Sequence, residues 1–174
     1  MRKLGFALLF IIGSVAMASF ASAERYFGIA LGNTDYGEQE DGFSYQITGG
    51  YSFNDRFSLQ ASYVDYGDID DNFTPVWTIE ADAIEIAGVG TYNLGQDVSL
   101  IGVLGLALWD MSITENGYGI VAATDGADLF YGIGLAFEAN ETMSFELKYK
   151  DYDISVKGKN VSVDNLSAGL KYRF

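Results

Sequence analysis

Residues 166–174 read Leu-Ser-Ala-Gly-Leu-Lys-Tyr-Arg-Phe, and their strict alternation decides how the whole chain is read. A strand turns successive side chains to opposite faces, so Leu166, Ala168, Leu170, Tyr172 and Phe174 share one face. Ser167, Gly169, Lys171 and Arg173 share the other. One face is large and apolar; the other mixes small residues with cations. Such a strand needs a sheet neighbour on each edge or a surface that covers it.

The same pattern recurs upstream. Phe43, Tyr45, Ile47, Gly49, Tyr51 and Phe53 oppose Ser44, Gln46, Thr48, Gly50 and Ser52. After the polar turn Asn54-Asp55, Phe57, Leu59, Ala61 and Tyr63 oppose Ser58, Gln60 and Ser62, which makes the two runs a hairpin. Similar segments occupy 26–33, 84–92, 98–109, 129–138 and 143–150, giving eight with the terminal strand. The segment 98–109 has apolar residues on both faces, so its alternation fixes its orientation least. Short connections fall at Asn54-Asp55, Leu94–Asp97 and Asn140-Glu141. Longer, polar ones cover 35–42, 65–81, 110–127 and 151–160, and the one proline, Pro75, sits in the second of these.

The start of the chain is different in kind. Arg2 and Lys3 precede an apolar run from Leu4 to Met17 and then Ala18-Ser19-Phe20-Ala21-Ser22-Ala23. These are the three regions of a secretory signal peptide, with cleavage expected after Ala23. The run is short of the about 20 residues a membrane helix needs. Residues 24–174 then form one domain. Without Arg2 and Lys3, eight basic residues stand against 24 acidic ones, a net charge of −16, which argues against a nucleic-acid partner. There is no cysteine, so an exported chain of this size must be held by its core or by lipid.

Eight alternating strands fit either a soluble ligand-carrying barrel of the lipocalin type or a membrane barrel. What opposes the apolar face separates them. A soluble barrel turns its apolar face inward and needs long charged side chains outside, whereas here the opposing face is mostly Gly, Ala, Ser, Thr and Gln. Small residues suit a crowded interior. Aromatics also collect at both ends, Tyr26, Tyr51, Phe53, Phe57, Tyr92, Tyr172 and Phe174 near the short turns and Tyr45, Tyr63 and Tyr149 toward the long connections, as bilayer interfaces select. The fold expected is an all-β, eight-stranded, antiparallel up-and-down transmembrane barrel with short periplasmic turns.

Tyr26-Phe27-Gly28, Tyr131-Gly132-Ile133-Gly134-Leu135, Phe145-Glu146-Leu147-Lys148-Tyr149 and Gly169-Leu170-Lys171-Tyr172-Arg173-Phe174 resemble the small outer-membrane barrels of the OmpA-like and OmpX-like family, over the whole mature chain. The resemblance implies location in the bacterial outer membrane and contact with its lipid and lipopolysaccharide. It also implies that Leu166, Ala168, Leu170, Tyr172 and Phe174 form the signal shown to the barrel assembly machinery. A structural or surface-interaction role follows from it, whether envelope integrity, adhesion to host surface molecules or resistance to host factors. The chain departs from full-length OmpA in having no peptidoglycan-binding domain after the barrel, so wall anchoring is not carried over. A small passive channel is the alternative, and the soluble carrier is the third. A monomer is expected.

Seven charges fall on the inward face: Glu85, Glu138, Glu146, Lys148, Lys150, Lys171 and Arg173. Counted from the short turns at about 3.3 Å per residue, Glu146 and Lys171 reach similar heights on adjacent strands. Glu85 lies nearer Lys148 and Lys150. In so narrow a lumen these charges must pair, and a structural network is expected over a gated ion path; the resemblance implies the same. No histidine exists to serve as a base or metal ligand, so neither an enzyme nor a cofactor is expected. Asp68, Asp70, Asp71, Phe73 and Trp77 are candidate loop contacts; the acidic spacing lacks the glycine and distant glutamate of a calcium-binding EF-hand loop, so no metal is assigned.

Overall fold

A computed structural model describes residues 24–35, 42–71, 77–115, 119–156 and 159–174, with side chains left out of the description at 68–77 and 154–161. Eight strands follow in chain order: β1 (Glu24–Asp35), β2 (Gly42–Asn54), β3 (Phe57–Asp71), β4 (Trp77–Asn93), β5 (Val98–Glu115), β6 (Gly119–Glu138), β7 (Met143–Val156) and β8 (Lys159–Arg173). Each pairs antiparallel with the next, and β8 returns to β1 from Tyr26↔Arg173 to Asp35↔Asp164, closing the barrel. Past the last ladder pair, Phe174 and Arg25 still exchange backbone hydrogen bonds of 2.9 and 3.3 Å. Closure removes both sheet edges, the condition for crossing a bilayer with strands.

Two of the short turns are built by the same device. The Asn54 side-chain oxygen accepts from the backbone N–H of Arg56 (2.9 Å) and of Phe57 (3.0 Å). Asn140 accepts likewise from Thr142 and Met143, both at 2.9 Å. An asparagine that bonds its own backbone two residues on replaces a turn hydrogen bond and fixes the hairpin register. At the third turn, the N–H groups of Leu94 and Gly95 both donate to the Val98 carbonyl.

The faces divide as the alternation predicts. Ile29, Leu31, Ile47, Leu59, Ile86, Leu104, Leu106, Ile133 and Leu147 are outward and exposed, while Ala30, Ser44, Gln46, Ser62, Glu85, Ser144 and Lys150 are buried inside. An exposed apolar band of this extent has no place in water. It rules out the soluble carrier, whose apolar side chains would fill the interior. The ambiguous segment 98–109 resolves the same way: Val103, Ala107 and Trp109 face in and Leu104, Leu106 and Leu108 face out.

Two expectations are corrected. Tyr26 does not join the aromatic girdle at the short-turn end; it is 6 % exposed and lies inside, because its parity is that of Gly28 and Ala30. Three of the four long polar connections, 65–81, 110–127 and 151–160, are also mostly strand. The ladder continues to Asp71↔Trp77 between β3 and β4, to Glu115↔Gly119 between β5 and β6 and to Val156↔Lys159 between β7 and β8. Beyond the bilayer both faces meet water, so the hydrophobic alternation fades while the hydrogen-bond ladder persists. A reading based on that alternation therefore ends these strands too early.

Candidate functional site: the charged lumen

Within the barrel the inward positions of β2, β3, β7 and β8 are mainly polar, β1 contributes Tyr26, Ala30 and Thr34, and β4, β5 and β6 contribute Ala87, Val89, Ile101, Val103, Ala107 and Ala136. Seven of the inward charges sort into three ion-paired groups along the axis, and the inward Asp128 accepts a hydrogen bond from the Trp109 indole at 2.7 Å. Nearest the short turns, Arg173 of β8 pairs with Glu138 of β6. Above it, Glu146 of β7 receives Lys171 of β8 at 2.5 Å and Lys148 of its own strand at 2.8 Å. The Lys171 ammonium also lies 5.2 Å from the Tyr26 ring centre. The space between these side chains, lined also by Thr48 and Gln60, leaves ≈ 10 Å³ for the centres of water molecules. That is about one water.

The deepest group is centred on Glu85 of β4, which is fully buried. Both its oxygens accept from Lys150 of β7, at 2.8 and 2.9 Å, and the Tyr152 hydroxyl donates to Oε1 at 2.5 Å. Lys150 donates in addition to the Gln46 side-chain oxygen at 3.1 Å. The Gln46 amide in turn donates to Thr48 (2.9 Å) and Ser62 (2.8 Å), so β2 and β3 are tied to the centre. Phe130 and Tyr152 stack at 5.2 Å, and the Lys150 ammonium sits 5.4 Å from each ring centre. Buried charge is tolerated when paired and hydrogen-bonded on every side. That condition is met here.

Glycines opposite these lysines make the room. An added Cβ at Gly134 would lie 2.7 Å from Lys148 Cγ, and one at Gly132 would lie 2.9 Å from Lys150 Cγ. Without side chains on this face of β6, the lysine stems of β7 can cross the lumen instead of turning along the wall. Toward the external end, Val64, Tyr66, Trp109 and Val163 form an apolar layer over the Glu85 centre, with Tyr66 packed edge-on to Tyr152 at 5.4 Å.

All seven inward charges named from sequence thus lie in the lumen and in ion pairs: Glu85 with Lys150, Glu146 with Lys148 and Lys171, and Glu138 with Arg173. Tyr152 and Phe130 were missed. Tyr152 shares the parity of Lys148 and Lys150, so extending the alternation one step past residue 150 would have found it. Removing its hydroxyl with Tyr152→Phe leaves one buried acceptor of Glu85 short, and a loss of about 1–3 kcal/mol is expected in urea unfolding from lipid vesicles.

Leu166, Ala168, Leu170, Tyr172 and Phe174 lie along the outward face of the closing strand, with Tyr172 stacked on Phe174 at 6.2 Å. Asp68, Asp70 and Asp71 belong to β3 and Trp77 opens β4, so they are strand rather than loop residues, with side chains outside the described set. Phe73 lies outside the described residues.

Residues 4–174 match the model of a family described as the outer membrane protein beta-barrel domain. No curated protein sequence matches significantly. Among solved structures, Neisserial surface protein A is similar with a TM-score of 0.70 at 19 % identity, over 88 % of this chain and 98 % of that one. Ail, the attachment invasion locus protein of Yersinia pestis, crystallised with the heparin analogue sucrose octasulfate, gives 0.60 at 18 % identity, over 87 % and 97 %. The N-terminal barrel domain of Pseudomonas aeruginosa OprF gives 0.62 at 15 % identity, over 87 % and 100 %.

Proposed function

Since the chain belongs to the outer membrane protein beta-barrel domain family, we propose that it is a non-conducting envelope barrel whose work is done by its external surface. It sits in the outer membrane, and no enzymatic constellation among the described residues competes with that role. The observation that carries the reading is the Glu85–Lys150–Tyr152–Gln46 centre, whose partners come from three different parts of the barrel wall and meet in the middle of the lumen. An ion crossing this level would have to separate a fully buried pair, and breaking such a pair is strongly unfavourable. The apolar layer above offers water nothing in return.

The outward band and aromatic ends would then contact lipid and lipopolysaccharide, and the β8 face would present the assembly signal. Ail in complex with its heparin analogue is a precedent on this fold for binding a sulfated ligand. The chemistry here differs, because Asp65, Asp82, Asp110, Asp125, Asp151 and Asp164 stand on the external half of their strands, in three cross-strand Asp–Asp registers from Asp65 to Asp125 and a further one at Asp151↔Asp164. Such a surface repels sulfated polyanions and favours cationic host molecules.

Planar-bilayer recording on the purified barrel tests the closed lumen. A bilayer that stays silent supports the reading. Reproducible stepwise currents from the detergent-refolded protein would overturn it in favour of a small passive channel.

A further inference from the structure

The outward face carries a notch of ≈ 420 Å³ on β3, β4 and β5, with Gly88, Gly90 and Gly102 on its floor and Phe57 and Leu104 at its sides. Gly90 faces Phe57 across one ladder and Gly102 across the other, and Gly88 faces Leu104. All five share the outward parity of Leu59, Ile86 and Leu106 on their strands. Internal packing does not require glycine at these three positions. An added Cβ at Gly102 would meet no atom within 4 Å, and at Gly88 or Gly90 the nearest is a backbone oxygen at 4.0 Å. The inward Gly105 and Gly132 differ, since a Cβ there would lie 2.6 and 2.8 Å from a carbonyl oxygen. Positive φ, the other demand for glycine, is confined to Gly67 and Gly119 among the described residues. Glycine inside a strand weakens it and often marks the close approach of a ligand or another chain.

The notch runs with the bilayer. Gly90 and Gly102 lie three and four residues in from the strand ends at Asn93 and Val98, about 10–13 Å at 3.3 Å per residue, and Gly88 and Leu104 lie deeper. It thus continues the lipid-facing band from the short-turn interface toward the midplane, the course of an acyl chain. The two turns below it carry charge. Asp55 and Arg56 are exposed on the β2–β3 turn, and the Arg56 carbonyl accepts from the N–H of Thr91, next to Gly90, at 2.8 Å. Asp97 is exposed on the β4–β5 turn, beside Val98. These turns are two strand spacings apart, roughly 10 Å. A cation at one and a carboxylate at the other match a headgroup that brings both a phosphate and a protonated amine. A purely anionic headgroup would meet the two aspartates unrelieved.

Resting on the lipid contact of the outward band, we propose that this notch seats one acyl chain of an aminophospholipid from the leaflet on the short-turn side, with its phosphate at Arg56 and its ammonium at Asp97. Continuity selects lipid over a second copy of the chain. The notch opens onto a face that already meets lipid, whereas a second barrel docked there would set Asp55 and Asp97 against their own counterparts.

Native mass spectrometry of the full mature chain, released from detergent micelles after titration with phosphatidylethanolamine, tests this. One retained lipid per barrel is expected, with weaker retention of phosphatidylcholine, which has no ammonium N–H, and of phosphatidylglycerol, which has no amine. Filling the notch with Gly90→Leu and Gly102→Leu should weaken retention about tenfold. Gly49→Leu, at an outward glycine with equal room away from the notch, should leave it unchanged. Asp97→Asn should remove the preference for ethanolamine over choline, and Arg56→Gln should weaken both. Should the double leucine variant fail to fold, Gly102→Leu alone and the two turn variants ask the same question. No retained lipid, undiminished retention by the filled notch, equal retention of all three lipids, or a dimer that the filled notch dissolves would each overturn the proposal. Leu147→Arg, away from the notch, destabilises the barrel in lipid vesicles wherever the band meets lipid, so failure of the notch and failure of the lipid contact are told apart.

Discussion

Replacing Glu85 with leucine alone is expected to destabilise the folded barrel by about 3–5 kcal/mol, the usual cost of orphaning a buried charge. Lys150 is 1 % exposed and, among the described residues, would keep only the Gln46 oxygen as a hydrogen-bond acceptor. The Tyr152 hydroxyl would lose its acceptor in the same step. If pairing is what makes this charge tolerable, removing every member together should cost far less. The triple variant Glu85→Leu, Lys150→Met, Tyr152→Phe should recover most of the loss, since apolar replacement of a whole buried network is often neutral or stabilising. Urea unfolding from lipid vesicles, read by tryptophan fluorescence, gives both values. A single variant with no measurable loss, or a triple variant no better than the single, would show that the centre is not held by its pairing.

The second large effect is expected on the outer surface. Leu104 is 65 % exposed in the middle of the outward run of β5, between Gly102 and Leu106. On a soluble protein, an arginine at so exposed a position would change stability little. In lipid, a cation on the outward face near the bilayer midplane costs about 2–4 kcal/mol. The same arginine at Tyr92, beside the short turn, should cost only about 0–1 kcal/mol, because the side chain reaches the interface. A depth-dependent loss across these two sites identifies lipid as the solvent of this face. Equal and small effects at both would contradict it.

What could be read from the sequence divides along a physical boundary. Inside the bilayer one face meets lipid and the other a crowded lumen, so period-two alternation names nearly every inward residue from Ser44 to Arg173. Heights counted from the short turns place Glu146 beside Lys171, and the two lie 2.5 Å apart. Which lysine reaches Glu85 could not be counted, because strand tilt and the missing side chains of Gly132 and Gly134 decide how far Lys148 and Lys150 extend. Tyr26 misled because an aromatic at a strand end suits a girdle and a lumen equally; parity with Gly28 was the better guide. A Cβ at Gly50 would fall into the Tyr26 ring, so the small residue opposite was the matching signal. Outside the bilayer the alternation lapses. There the strand extensions could be recognised only from pairing.

Refolding the mature chain from urea, with and without detergent micelles, tests the membrane-barrel account most directly, by circular dichroism and by comparing unheated with boiled samples on a gel. A β-rich species that forms only with detergent and changes mobility on boiling is the predicted result. A β-rich monomer that folds in plain buffer would contradict it, since the exposed band of Leu104, Leu106, Ile133 and Leu147 would then have to be stable in water.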